Sequence, residues 1–406
     1  MVGTMSDTRS RKNVLAVLTI SHMTQHLYVG ISVLYPNIMV ALNLSYGELG
    51  LAVGIGSVLA GILQLGPGLL SRYVSRRVLL GFGNLLYSGA EFAIGISKSF
   101  YQLFVANLIG GVGQAVQHPI GVSILSDKYR HRSIGAALGL HYGIAYLGNV
   151  AGPFVLAVLS STLGWRFSLY IFGIAPAFTG ILVMAYLKKE WVAGRISQKV
   201  SLSKGIRSSL HVRGAVAVIM AQSFLAGGTG MGGLVAYTPL FLAKQIRLGV
   251  LDVGISFSVM MMGGVLGPLV VGKYSDRVGH LRSAMICSLV AAVSTFFLTS
   301  HTVNSPLLVL HLFVLGISSF AITSLLQAYL SSVAGILERD LLIGLFFTIG
   351  YGISSVWSVV MGFAIDFYGS FQPAFQLTAI LALIGAMLLI LPMRKSRIVP
   401  ERSSKQ

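Results

Sequence analysis

The chain has 406 residues, 55% of them hydrophobic and only 10% charged, with a mean hydropathy of +0.82. Soluble domains carry about 25% charged residues, so this chain lacks polar cover for a water-facing surface, and its apolar content excludes disorder. Its 48 glycines, 11 prolines and single cysteine fit neither a collagen-like repeat nor a disulfide-stapled secreted fold, which leaves a polytopic membrane protein.

Apolar stretches of about 17 to 30 residues can each cross a hydrocarbon core of about 30 Å. They fall near 14–42, 46–70, 78–96, 101–125, 133–159, 166–187, 214–243, 251–272, 283–299, 305–332, 341–367 and 371–392. The pattern predicts an all-α membrane protein with twelve transmembrane helices, because backbone in lipid must satisfy its own hydrogen bonds. Short strands of alternating polarity, which a barrel would need, are absent from the sequence.

The net charge of +18 is distributed by loop. One side holds the clusters around Arg11, Arg76, Lys128, Lys188–Arg213, Lys273–Arg282, Arg339 and Arg394–Lys405; the other has only Lys98, Arg166, Lys244 and Arg247. By the positive-inside rule both termini are expected in the cytoplasm, with the protein in the cell membrane. The basicity is therefore read as topology, and no nucleic-acid partner is expected. The Arg9–Lys12 cluster imitates the start of a signal peptide, but the apolar run after it is too long and has no convincing cleavage site, so it is read as the first span.

The longest polar segment divides the chain into an N-terminal six-helix bundle (1–187), a central cytoplasmic loop (188–212) and a C-terminal six-helix bundle (213–406). An internal repeat supports the division. Leu65-Gly66-Pro67 through Tyr73 and Arg76, after the second span, lies over Leu266-Gly267-Pro268 through Tyr274 and Arg277, after the eighth. Two pseudo-symmetric parallel repeats place a binding site near the midplane between them, opened by rocking one half on the other.

Gly272-Lys273-Tyr274-Ser275-Asp276-Arg277-Val278-Gly279-His280, followed by Arg282, resembles the loop signature of the major facilitator superfamily of secondary transporters. Gly148-Asn149-Val150-Ala151-Gly152-Pro153 in the fifth span is similar to that family's antiporter motif, and Gly164-Trp165-Arg166 before the sixth span is another of its elements. Ser21-His22 and His118-Pro119 look most like the fosmidomycin-resistance type of efflux protein. That branch carries carboxylates four residues after the first histidine and just after His-Pro; here those places hold His26 and Ile120. The resemblance implies that spans one, four, seven and ten line a central cavity.

The loop signature implies a cytoplasmic gate. Gly272 permits a tight turn, and Asp276, beside Arg277, can sit at the N-terminus of a helix in the opposite half. By the family's pseudo-symmetry that would be the start of the fifth span, around Arg132 and Ser133. In the first half Ser75 takes the place of Asp276 and leaves Arg72, Arg76 and Arg77 without a local acid, so an inverted latch against Glu338 and Asp340 is expected there. The alternative is that all these charges are solvated loop residues.

Ionisable groups at membrane depth are functional candidates by default. At about 1.5 Å rise per residue, His22 lies roughly 12 Å into the first span, with His26 a turn deeper, His118 roughly 10 Å above the end of the fourth and His141 about 12 Å into the fifth. His22, Gln25 and His26 share one face, as Gln114, Gln117 and His118 nearly do. Opposite them, Gln222 and Thr229 on span seven and His311, Thr323 and Gln327 on span ten are the second half's candidates. These residues read as a substrate site whose histidines can carry protons, or as neutral imidazoles bonded between helices. Glu91, the one acid well inside a span, either carries a coupling proton or lies near the outer interface, steadied by Lys98 or a backbone partner. The run of glycines from Gly227 to Gly233 reads as a hinge beside the cavity or as tight packing.

No nucleotide loop, nucleophile elbow or zinc helix occurs in the sequence, so neither an enzyme nor a cofactor or bound metal is expected. The reading is a monomeric transporter in the lipid bilayer, exporting a small neutral, zwitterionic or weakly anionic organic solute in exchange for protons. The alternatives are an ion-coupled uptake symporter for a small metabolite and, further off, a transporter of histidine-bound metal.

Overall fold

A computed structural model describes residues 5–64, 67, 70–71, 73–129, 134–187, 211–212, 214–229 and 232–396, which form helices joined by short turns and loops. The expected central loop thus lies outside the described residues apart from His211 and Val212. In chain order the helices are α1 (Met5–His26), a 3-10 segment (Leu27–Leu34), α2 (Tyr35–Leu42), α3 (Tyr46–Leu63), α4 (Arg76–Ile96), α5 (Phe100–Gln114), α6 (Gln117–Lys128), α7 (Ile134–Ala145), α8 (Leu147–Leu163) and α9 (Trp165–Tyr186). The second half follows with α10 (Ala215–Thr229), α11 (Gly233–Lys244), α12 (Val250–Val278), α13 (His280–Leu298), α14 (Leu308–Val333), α15 (Ile336–Tyr368), α16 (Phe371–Leu388) and α17 (Ile390–Ser396).

Among the described residues, 11 helices are long and apolar enough to cross a membrane. The expected fourth span is divided into α5 and α6, with 15 and 12 residues, by a turn at Ala115 and Val116. Pro119 explains the break, because it has no N–H to offer the Ala115 carbonyl and its ring crowds that turn. Pro153 removes the same bond from Asn149, next to the α7–α8 break at Tyr146. Large apolar side chains such as Phe82, Phe154, Phe178, Val270, Val293 and Leu310 stand exposed around the helices, as a lipid-facing surface requires.

Short loops are fixed by local chemistry. Ser45 and Glu48 form a reciprocal capping box at the start of α3, with bonds of 3.1 and 2.9 Å. Gly279, at φ 99°, makes the one-residue turn between α12 and α13, a conformation that only glycine adopts freely. This is the second glycine of the loop signature; Gly272, where a tight turn was expected, lies within α12 instead.

The halves meet at one end and part at the other. Far from the termini, Ile31, Leu34, Leu49 and Leu156 share one core with Leu234, Tyr237, Phe257 and Phe371. Toward the termini the cores are separate, one around Val14, Leu18, Leu125 and Val183 and the other around Ala215, Leu281, Leu326 and Leu389. Across the join α3 packs along α15 and α8 along α12. Gly254 of α12 lies against Ala157 and the Pro153 carbonyl.

The closed end is fastened by a carboxylate on a helix N-terminus. Asp366, near the end of α15, accepts hydrogen bonds from the Tyr46 and Gly47 N–H groups of α3 at 2.9 and 2.7 Å. These are donors the helix cannot use itself, and its dipole favours an anion there. The Tyr237 hydroxyl lies 3.0 Å from the Tyr46 carbonyl and 2.9 Å from that of Ser358, tying α11 into the same join.

Inside the first half, Gly148 and Gly152 bring α8 onto the 3-10 segment so closely that a Cβ on either would run into the Met23 or Leu27 carbonyl. Gly152→Ala should therefore cost about 1–3 kcal/mol, seen as a lower unfolding midpoint in detergent. Gly143→Ala, where a Cβ meets nothing within 4 Å, should leave the midpoint in place. Asp366→Ala should loosen the closed end: in a Cys287→Ser background, a thiol at buried Leu49 should react several-fold faster than with Asp366 intact. An unchanged rate would show that the apolar core alone holds that end.

Candidate functional site

The polar residues at membrane depth converge in the first half. His22 and His26 are one turn apart on α1 and present one face. Against that face come His118 from α6 and His141 from α7. The His22 ring centroid lies 4.6 Å from that of His26, 4.7 Å from that of His141 and 4.8 Å from that of His118. Helix α8 reaches the group because Gly148 lets it lie on the Met23 carbonyl and the His26 Cβ, which sets Asn149 beside His26.

Hydrogen bonds thread these residues in one line. Thr19 Oγ1 is 3.1 Å from His141 Nδ1, and His141 Nε2 is 3.0 Å from His22 Nδ1. His22 Nε2 is then 3.1 Å from His26 Nε2, and His26 Nδ1 is 2.9 Å from Asn149 Oδ1. His22 and His141 are each 1% exposed, whereas His26 and His118 are half-buried. Tyr142 packs edge-on to His22 and Tyr146 edge-on to His26, at 5.4 and 4.9 Å. Tyr351 of α15 is within electrostatic reach of both tyrosines, so the cluster borders the space between the halves.

A second network runs alongside. Gln25 Nε2 donates to Asn84 Oδ1 at 2.9 Å, Asn84 Nδ2 to Ser21 Oγ at 2.7 Å, and Ser21 Oγ to Gln117 Oε1 at 3.2 Å. The Gln117 amide nitrogen is buried without a partner among the described residues. Gln114, at the end of α5, is half-buried.

The second half does not mirror this arrangement. Gln222 lies buried against Gly350, Thr229 donates to its own helix at the Leu225 carbonyl, and Gln327 is half-buried on α14. His311 does not join the cluster. It sits in the first turn of α14 with Nδ1 2.6 Å from His301 Nε2 and Nε2 2.9 Å from the Ser294 carbonyl, so it ties a loop to α13. The glycine run shows the tight packing, with Gly227 and Gly228 against Trp357 and Ala382, and it lies where α10 ends at Thr229 and α11 begins at Gly233.

Two expectations about charges are corrected. Arg76 does have a local acid: its Nη1 is 2.6 Å from Asp127 Oδ2 at the end of α6, and Arg77 donates to the Leu187 carbonyl at 3.2 Å. Both partners belong to the first half. Asp127 went unnoticed because it is 51 residues away in sequence and meets Arg76 only once α4 and α6 are packed. Arg72 and Arg132 lie outside the described residues, as do the side chains of Glu338 and Asp340; Asp276 and Arg277 are exposed, and Gly272 has open space around it. Glu91, read either as a proton carrier or as an interfacial residue steadied by Lys98 or a backbone partner, is fully buried and has no such partner, with neither carboxyl oxygen bonded among the described residues.

Sequence reasoning missed Thr19, Asn84, Tyr142 and Tyr146 as parts of the site and read Asn149 only as a motif residue. Their signal was present: a hydroxyl three residues before His22, a lone amide inside the third apolar run, and tyrosines one and five residues after His141.

Comparison with known proteins agrees with the architecture. The bacterial homolog of the human lysosomal transporter Spinster, in its inward-facing and unoccupied conformation, superposes with a TM-score of 0.78 over 97% of this chain and 98% of its own, at 16% identity. That likeness concerns the fold. A Haemophilus influenzae protein named as a metabolite transporter is 25% identical over 374 residues, 86% of each chain. The nitrite extrusion protein of Bacillus subtilis is 25% identical over 320 residues, 76% of this chain and 77% of that one. Residues 15–358 match the Major Facilitator Superfamily, and the chain belongs to that family of membrane transporters, which is not a family of enzymes.

Proposed function

We propose that the protein is a proton-coupled secondary transporter that exports a small organic solute by alternating access. Its two bundles, 1–187 and 213–406, rock about a site at mid-membrane, with both termini in the cytoplasm of a bacterial cell and the working unit a monomer. The observation that carries this reading is the imidazole cluster, two of its rings only half-buried, in a chain whose halves share a core at one end and have separate cores at the other. Under this topology the structure is the state open to the cytoplasm, and the Asp366 fastening is the outer gate. Asp276 would take up a helix N-terminus of the first half when the cytoplasmic side closes.

Export is favoured by the Gly148–Pro153 motif and by the likeness to a nitrite extrusion protein. The narrower likeness to the fosmidomycin-resistance branch rests on Ser21-His22 and His118-Pro119 alone. The rings and amides of the cluster, without an Arg or Lys hydrogen-bonded to them among the described residues, suit a neutral, zwitterionic or weakly anionic solute.

The test is ligand-induced thermal stabilisation across organic acids, sugars, nucleosides and antibiotics, on either side of neutral pH. A ligand at a hundred times its Kd should add about 2.7 kcal/mol. His22→Ala and His118→Ala should lose that response while folding; an unchanged response would move the site elsewhere. In proteoliposomes, flux of the same ligand should be concentrative under a pH gradient and collapse with an uncoupler, whereas flux that persists would mark a channel.

A further inference from the structure

The line from Thr19 to Asn149 has a property that its separate contacts do not. A neutral imidazole offers one N–H and one lone pair. With the Asn149 carbonyl oxygen as acceptor, His26 donates from Nδ1 and must accept at Nε2. His22 then donates from Nε2 and accepts at Nδ1, and His141 donates from Nε2 and accepts at Nδ1 from the Thr19 hydroxyl. Every bond runs the same way, and all three rings are satisfied while neutral.

One added proton is also accommodated without a lost bond. Placed on His141 Nδ1, it turns the Thr19 hydroxyl from donor to acceptor, and no other contact changes. The His141 Nε2 proton can pass to His22 Nδ1, leaving His141 neutral in its other tautomer. The His22 Nε2 proton can pass in turn to His26 Nε2. At each step one N–H bond breaks as another forms, and the positive charge moves one ring along. A second proton would set two N–H groups facing each other somewhere in the line and sever it.

We infer that Thr19, His141, His22, His26 and Asn149 form a relay that holds either no excess proton or one. The Thr19 hydroxyl can reverse its role, whereas the Asn149 amide oxygen accepts a bond but keeps no proton, so charge arriving at that end rests on His26. His26 is the one ring of the three that is only half-buried. The titratable groups around the relay are His118 on α6, Tyr142 on α7 and Tyr146 beside it, with Tyr351 of α15 beyond. No carboxylate, lysine or arginine among the described residues is hydrogen-bonded or ion-paired to the three rings. His118 touches His22 edge-on but lies outside the line. The relay gives the transport reading its proton carrier and rests on that reading for its purpose, but it can be tested with no substrate present.

The experiment is nitrogen NMR of the full chain in nanodiscs, with its histidines labelled in the ring and assigned through single His→Gln variants. In alkaline solution each of the three rings should be in a single neutral tautomer, arranged head to tail. Acidification should add one proton to the three rings together, with their signals changing as one transition. His22→Gln should split the line, so that His26 and His141 titrate independently and the uptake rises from one proton to two. Thr19→Val should abolish the protonated state of His141, and Thr19→Ser should restore it. Two or three protons on the wild-type rings, or mixed tautomers in alkaline solution, would overturn the relay whether or not the protein transports anything. Failed transport beside a one-proton uptake would instead count against the transport reading.

Discussion

A polar side chain carried into the apolar interior of a membrane protein must find its hydrogen-bond partner within the protein, because an unmade bond there costs several kcal/mol. Three of this chain's nine histidines meet that requirement largely with one another. The rest of the first half is arranged to permit it. The 3-10 segment after His26, the break after Ala145 and the glycines of α8 together bring Asn149 to the His26 ring, and the turn at Ala115 sets His118 beside His22. The irregular backbone is concentrated where the polar groups are, as expected when helices are interrupted only where they line a cavity or are buried in protein.

The two halves spend their glycines differently. In the first half, Gly148 and Gly152 press α8 onto the end of α1, stabilising one packed unit. In the second, Gly227, Gly228 and Gly232 seat the chain from α10 to α11 against Trp357, Ala382 and Ser354. The sequence repeat is thus not a repeat of local structure, since Leu266–Arg277 lies within α12 whereas Ser71 and Tyr73–Ser75 lie outside a helix, and the polar cluster is concentrated in the first half.

Much of this architecture was legible in the sequence. Apolar length located the spans, since crossing lipid is a one-dimensional requirement, and the i, i+4 spacing of His22 and His26 announced a shared face. What escaped depends on which residues meet across helices. Asp127 answers Arg76 from 51 residues away. Asn84 closes the Gln25–Ser21 network from a run that otherwise reads as apolar, and His311 was assigned to the cavity by helix number although its place in the first turn of α14 puts it at a membrane edge. The division of the fourth span follows from Pro119, yet an apolar run of ordinary length conceals it. Glu91 shows the limit of depth arguments: distance along a helix says how far a carboxyl lies from the helix end, but not whether neighbouring helices cover it.

The fastening at Asp366 has an electrical consequence. It joins a full negative charge to the diffuse positive end of a helix, and the carboxylate remains exposed to the surrounding water. Mobile ions weaken such an attraction over a Debye length of about 8 Å at physiological ionic strength, whereas the apolar core beneath it is insensitive to dilute salt. The grip of this fastening should therefore slacken as the salinity of the medium bathing it rises, making the medium itself a participant in how firmly this end is held.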